Sequence, residues 1–205
     1  MTDNYHHGDL KNALIQAGLT ILSQEGIQSL SLRKVAKHVG VSHAAPYAHF
    51  TDKQALIAAI AAEGYKKLYE QVSTAAQAHA DDPRAQLIET AWAYVQFALH
   101  CPDHFKVTFS GVVEHEHDYP DYLEQTKKNF ALMVEVVTAC QAQKLLPQGD
   151  TELLVIGIWS GIHGLVHLLF GNQLPSAVLP RYSAREMLLA QLNQLLISHD
   201  GDSHP

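Results

Sequence analysis

Cysteine is nearly absent: Cys101 and Cys140 are the only two in 205 residues, far apart and in no C-x-x-C pair, which fits a reducing compartment and no structural thiolate metal site. The first ten residues lack both a basic stretch and an apolar run, so no secretory leader is expected and the protein is expected to be cytoplasmic. No proline interrupts the chain between Pro46 and Pro83, which permits a long helix there. Basic residues are outnumbered, 14 against 21, for a net charge of -7. That balance argues against nucleic acid until it is divided: residues 1–53 hold five lysines and arginines against four acids, and residues 54–205 hold nine against seventeen. The excess acid therefore lies outside the N-terminal segment, whose five histidines can add charge on titration.

What is present begins with 47% apolar residues, enough to bury a core in one average domain plus a small one. The periodicity is helical throughout, and the expected fold is all-α with about nine helices. Leu10, Leu14, Ala17, Ile21 and Leu22 space a first helix ending near Glu25, with Gly26 as its stop. Leu32, Val35, Ala36 and Val39 follow at i, i+3, i+4 and i+7, and Gly40 closes that helix. A second short helix is expected to leave at a steep angle from Ser42 or His43, which together make a helix-turn-helix. Its small Ala44 and Ala45 permit close approach to a DNA groove. Thr51-Asp52-Lys53-Gln54 has the form of a capping box with Thr51 at the N-cap, placing Lys53 at a helix N-terminus suited to a phosphate. Ser31, Tyr47 and His49 add further donors. The pair His6-His7 is read as a metal site, as an N-terminal arm reaching toward DNA, or as neither.

A long helix is expected from Thr51 to about Ala80, and another after Asp82-Pro83 with Ile88, Trp92, Val95 and Leu99 as its buried stripe. Phe105 and Phe109 mark a short helical piece, and Leu123 to about Leu145 a longer one. The acidic run between them holds His115 and His117 and is read as a solvated loop, not a metal site. Leu153 to Phe170 is uncharged for 18 residues. Two histidines, a serine and the lack of flanking basic residues argue against a membrane span and for a helix at the centre of the protein. On it Gly157, Ser160, Gly161, Gly164 and Leu168 share one small-residue face, and Val155, Trp159, Ile162, His163 and Val166 the opposite one. His163 and His167 have a spacing used by zinc sites, but no third ligand is placed, and a satisfied core histidine is the preferred reading.

The run G-V-S-H-A-A-P-Y-A-H-F-T-D-K-Q-A-L, with its ungapped surroundings from Tyr5 to Ala62, resembles the DNA-binding domain of the TetR family of bacterial transcriptional regulators. Trp159, His163 and Gly164 form W-x-x-x-H-G, which resembles the C-terminal WHG domain of one branch of that family. The resemblance implies an N-terminal three-helix DNA-binding domain over 1–53 and a larger regulatory and dimerisation domain over 54–205. It implies that Ser31, Arg33, Ser42, Tyr47, His49 and Lys53 touch the DNA backbone, and that His43, Ala44 and Ala45 face bases. Pro46, where the family commonly has an apolar residue, departs from the pattern. The helices 151–170 and about 183–198 would form a four-helix dimer interface, with Gly157, Gly161, Gly164, Leu188, Leu192 and Leu195 in it.

The expected function is a homodimeric repressor on a near-palindromic double-stranded operator, released by a small-molecule effector and carrying no cofactor. Trp92, Phe97, Phe105, Met133, Trp159 and His163 are the candidates for the effector cavity. A DNA-binding dimer that ignores small molecules or answers to a protein partner is the alternative. An enzyme is not expected, because Ser160 near His163, and Cys101 near His100 and His104, lack a third orienting group and an oxyanion-hole motif.

Overall fold

The computed structural model describes residues 7–197; His6 of the histidine pair and the tail from His199 lie outside them. Among these residues are eight α-helices and three 3-10 turns, with no strand. The described residues up to Lys67, with Cys101–Lys127, form one compact unit, and Leu68–His100 with Lys128 onward form the other.

In the first unit α1 (His7–Glu25) buries Leu14, Ala17, Ile21 and Leu22, the expected stripe, and Ile15 and Leu19 widen it. Gly26 ends the helix at φ 80, and a 3-10 turn (Ile27–Ser29) leads on. In α2 (Leu32–Val39) Leu32, Val35 and Ala36 are buried. The first turns of α3 (Lys53–Ala78) bring Leu56, Ile57 and Ile60 into the same core, and Val107 of α5 (Pro102–Thr108) joins them. Each fully buried aliphatic contributes about 1.5–3 kcal/mol relative to exposure. The cap of α3 sits one residue later than expected. Asp52 accepts from the Ala55 N–H at 2.8 Å, and Thr51 only reaches Asp52, because a carboxylate at the N-cap is as good an acceptor and complements the helix dipole better.

In the second unit α4 (Pro83–His100) begins at Asp82, whose carboxylate accepts from the Ala85 N–H at 3.0 Å. Its buried face takes in Leu87, Ala91, Tyr94, Val95 and Ala98; of the expected stripe Val95 is fully buried, Ile88 and Trp92 are half-buried, and Leu99 is exposed. A polar knot joins the end of α6 (Pro120–Ala142) to the start of α7 (Thr151–Phe170): Gln141 donates to the Pro147 carbonyl at 2.9 Å and accepts from Thr151 at 2.7 Å. Cys140 donates to the Pro83 carbonyl, and burial pushes its thiol up to about 11, so it is inert at neutral pH. The last helix, α8 (Ala184–Asn193), is shorter than expected and starts with a full capping box, Ser183 with Glu186. Arg185 makes a two-pronged ion pair with Glu89 and lies over the Trp92 ring at 5.4 Å.

The placement of α7 corrects an expectation. Only 22% of its apolar window is buried, so it is not the central helix of the chain. Val155, Ile158, Ile162 and Val166 form a single buried stripe, while Leu153 is 68% and Ile156 46% exposed.

In the first unit Gly64 lets α3 approach α5 closely; a Cβ there would lie 1.9 Å from the Thr108 hydroxyl. One turn along, Lys67 donates to His104 Nε2 at 2.7 Å. That bond puts the imidazole hydrogen on Nδ1, which is buried without a partner. Burial, and then the Lys67 charge, lower the His104 pKa to about 4. The neutral form is thus the folded form, and the sign follows. The stability is complete above the unfolded value of 6.5 and is lost as pH falls toward 4, by roughly 3 kcal/mol. Urea unfolding of the chain at pH 7 and pH 4.5 should show this loss, and His104→Gln should reduce the difference; an unchanged difference would mean that other groups carry it.

Candidate nucleic-acid interface

The segment from Ser31 to Lys53 is held at both ends and displayed in the middle. Ser31 caps α2 in extended geometry, its hydroxyl accepting from the Lys34 N–H at 3.2 Å. At the other end of α2, Gly40 takes the left-handed conformation, φ 82 and ψ 27. The N–H groups of Gly40 and Val41 both return to the Ala36 carbonyl, at 2.9 and 3.0 Å, which is a Schellman closure. Val41 then packs on the core. Nine residues after it Phe50 is buried, and Pro46 between them is buried as well, so the intervening stretch is pinned at both ends and once within.

The displayed stretch is not the short α-helix expected from the sequence. It is a 3-10 turn, Ala45–Ala48, with Ala45, Tyr47 and His49 each donating to the carbonyl three residues back. Pro46 accounts for this. It has no N–H for the Ser42 carbonyl, so Ala45 takes that acceptor instead, and the ladder tightens to the i+3 pattern. Ser42, His43 and Ala44 are exposed, Ala45 and His49 are half-buried, and Tyr47 is 55% exposed.

The cations divide into two groups. Arg33 is exposed on α2. So are Lys37 and His38 in its last turn, which the sequence reading did not include although a basic pair at that position was its signal. Lys34 is engaged by Glu25 in an ion pair. Lys53 is turned inward: its ammonium donates to the Ile27 carbonyl at 2.5 Å, so it ties α3 to the end of α1 before it can serve a phosphate.

An exposed, rigidly anchored turn preceded by a basic-faced helix can enter a groove and grip phosphates on either side. Comparison with known proteins decides the family. Residues 14–60 match the family described as bacterial regulatory proteins, tetR family, and residues 87–192 match the tetracyclin repressor-like C-terminal domain. The chain belongs to the TetR family. It is a DNA-binding transcriptional regulator of that type. It is 26% identical to YobS, an uncharacterized HTH-type transcriptional regulator of Bacillus subtilis, over 78% of this chain and 76% of that one. It is 35% identical to the class A tetracycline repressor from transposon 1721 of Escherichia coli over 43% of this chain, spanning 39% of that repressor. A solved structure of a Rhodococcus sp. RHA1 protein of unknown function superposes with a TM-score of 0.76 at 28% identity, covering 94% of this chain and 96% of that one.

The second unit of this TetR-family regulator holds most of the candidate effector and interface residues. Trp159 and His163 come together with Tyr94, which the sequence did not single out: the Tyr94 hydroxyl lies 2.6 Å from His163 Nδ1 and accepts from the Trp159 indole at 3.3 Å. Trp92 is covered by Arg185, Phe97 is fully buried and Met133 half-buried. Phe105 belongs to the first unit, where it stacks on Phe109 at 4.9 Å. Of the six interface candidates, Gly157 and Gly164 face open space, whereas a Cβ on Gly161 would meet the Gln191 side chain of α8. Leu188 and Leu192 are 0% and 1% exposed; a short α8 turns that stripe inward, which leaves them no area to give a second chain. Leu195 is half-buried.

The inward placement of Lys53 has a measurable consequence. Lys53→Met should cost about 1–2 kcal/mol of stability through the lost bond to Ile27, while Tyr47→Ala, at an exposed position, should stay within about 0.5 kcal/mol. Chemical denaturation of both variants checks this, and equal stability would remove the structural role of Lys53.

Proposed function

We propose that this regulator is a homodimeric repressor that holds a near-palindromic operator with two copies of the 42–49 turn and is released by a small, largely apolar effector in its C-terminal half. The exposed 42–49 turn, pinned between Val41 and Phe50, carries the reading. In it Ser31, Arg33, Ser42, Tyr47 and His49 bind phosphates together with Lys37, and His43, Ala44 and Ala45 meet base edges. Lys53 contributes its helix N-terminus and positions the turn. The head carries few cations, so a single copy has modest affinity, and pairing two heads supplies the rest.

The pairing surface in this reading is the exposed face of α7. Leu153, Ile156, Gly157, Ser160, Gly164 and Leu168 fall on one side of that helix, all exposed, and such an apolar patch on a single chain favours burial against another. Trp159, His163, Tyr94 and Met133 are the residues nearest to an effector role, with Trp92, Phe97 and Phe105 as packing around it. An effector shifts DNA binding only if it prefers a conformation whose heads are misplaced for the operator. The reading places the protein in the cytoplasm, with the DNA.

Footprinting on the DNA flanking its own coding region tests the first part. Tyr47→Ala should weaken binding to every sequence about equally, by roughly 1 kcal/mol or more as one phosphate contact is lost, whereas His43 or Ala44 substitutions should change which sequence is preferred. Uniform losses in both kinds of variant would refute the groove assignment. For the effector, a thermal-shift screen of small apolar compounds should raise the melting temperature, and Trp159→Ala should blunt that rise. A protein that binds its operator and responds to none would instead be effector-independent or answer to a protein partner.

A further inference from the structure

The polar groups on α7 do more than satisfy one another. His163 and His167, one turn apart, present their Nε2 atoms to each other at 3.0 Å, with the rings edge to face at 4.5 Å between centroids. At this distance one Nε2–H donates to the other nitrogen, and a cation taking the place of that proton would be held by both rings. With both nitrogens at the usual ligand distance of about 2.0–2.1 Å, an ion between them would subtend about 90°. That is the angle of adjacent ligands in square-planar or octahedral coordination, and an opening of a few tenths of an ångström would give the tetrahedral one.

We propose that His163 and His167 form a two-imidazole site for a late first-row divalent ion such as Ni2+, Cu2+ or Zn2+, with water filling the remaining positions. The imidazole pair selects that class over Mg2+ or Ca2+, which take oxygen ligands. The surroundings are those of a ligand held in place. Tyr94 Oη, already accepting from the Trp159 indole, lies 2.6 Å from His163 Nδ1 and can accept its N–H as well. That arrangement leaves the Nε2 lone pair pointing at His167, the second-neighbour support that metal-bound histidines commonly have. His163 is half-buried and His167 exposed, so an ion can enter from water. The proposal goes beyond the regulatory reading and does not require it.

The test is calorimetric titration of the untagged, metal-stripped full chain with Ni2+ and Zn2+. Because the chain holds 14 histidines, the informative quantity is a difference between variants. One ion per chain is expected at this site. His167→Gln, at an exposed position, should fold normally and lower the affinity at least about tenfold, and Tyr94→Phe should lower it about 10- to 100-fold by releasing the ring. His115→Gln with His117→Gln should leave it unchanged. The site is overturned if wild-type and His163→Gln/His167→Gln proteins bind the ions equally, or if wild type binds none at millimolar concentration. Unchanged affinity in Tyr94→Phe would overturn the orienting role assigned to the phenol. None of these measurements involves DNA, so failure here is distinguishable from failure of the repressor reading.

Discussion

The left-handed turn at Gly40 is the constraint on which the DNA-facing part of the structure rests. A side chain at φ 82 costs about 1 kcal/mol in most residues, and glycine removes that cost. What the turn provides is a reversal in two residues, with both new N–H groups returned to Ala36 and Val41 carried straight back to the core. The chain then has only eight residues before Phe50 is buried. Within so short a segment, tied at both ends and pinned again by the buried Pro46, Ser42, His43, Ala44 and Tyr47 are left facing outward.

The local signals that the sequence carries strongly were the ones that could be read. Glycine after an apolar stripe, and Asp82-Pro83 ahead of one, act through a few backbone groups, and α1, α2 and the start of α4 lie where those residues put them. The misreadings share a different cause. Pro46 was tolerable in a first helical turn, but the hydrogen bond it removes was the one that would have started an α-helix, and only the competing Ala45 N–H shows which pattern wins. In α4 alanines and aromatics surround the helix so evenly that periodicity does not fix the width of its buried face, which takes in Val95 as expected but also Leu87, Ala91 and Tyr94, and leaves Leu99 outside. Lys53 has the same appearance in sequence whether it points to solvent or to the Ile27 carbonyl; a contact 26 residues away leaves no local trace.

Charge places a further demand on the head. Its small excess of basic residues is reduced again once Lys34 is matched with Glu25 and Lys53 is committed to a carbonyl. Arg33 and Lys37 on α2 then carry most of the cationic surface, with titratable histidines at 38, 43 and 49. Phosphate affinity grows with the number of neutralised charges, so in the proposed reading a head this sparse would rely on fit in the groove, on polar contacts from Ser31, Ser42 and Tyr47, and on duplication. The C-terminal half has a matching need, since α7 is too apolar to be left with less than a quarter of its window buried. In the proposed reading a second chain would meet both needs together.

On that same helix the histidines are the exception that the apolar pattern has to accommodate. Placing His163 half out of water beside Trp159 costs free energy unless its nitrogens are paired, and the pairing found runs from the Trp159 indole through Tyr94 and His163 to His167. Each member of this chain fixes the next, so the tautomer of His163 is set from α4 as much as from α7. The exposed His167 is thus joined to the phenol on α4 by two consecutive hydrogen bonds through the two ring nitrogens of His163. Four polar side chains in line through an otherwise apolar helix pair are tolerated because each satisfies the next, so none leaves a buried nitrogen or oxygen unpaired within the line.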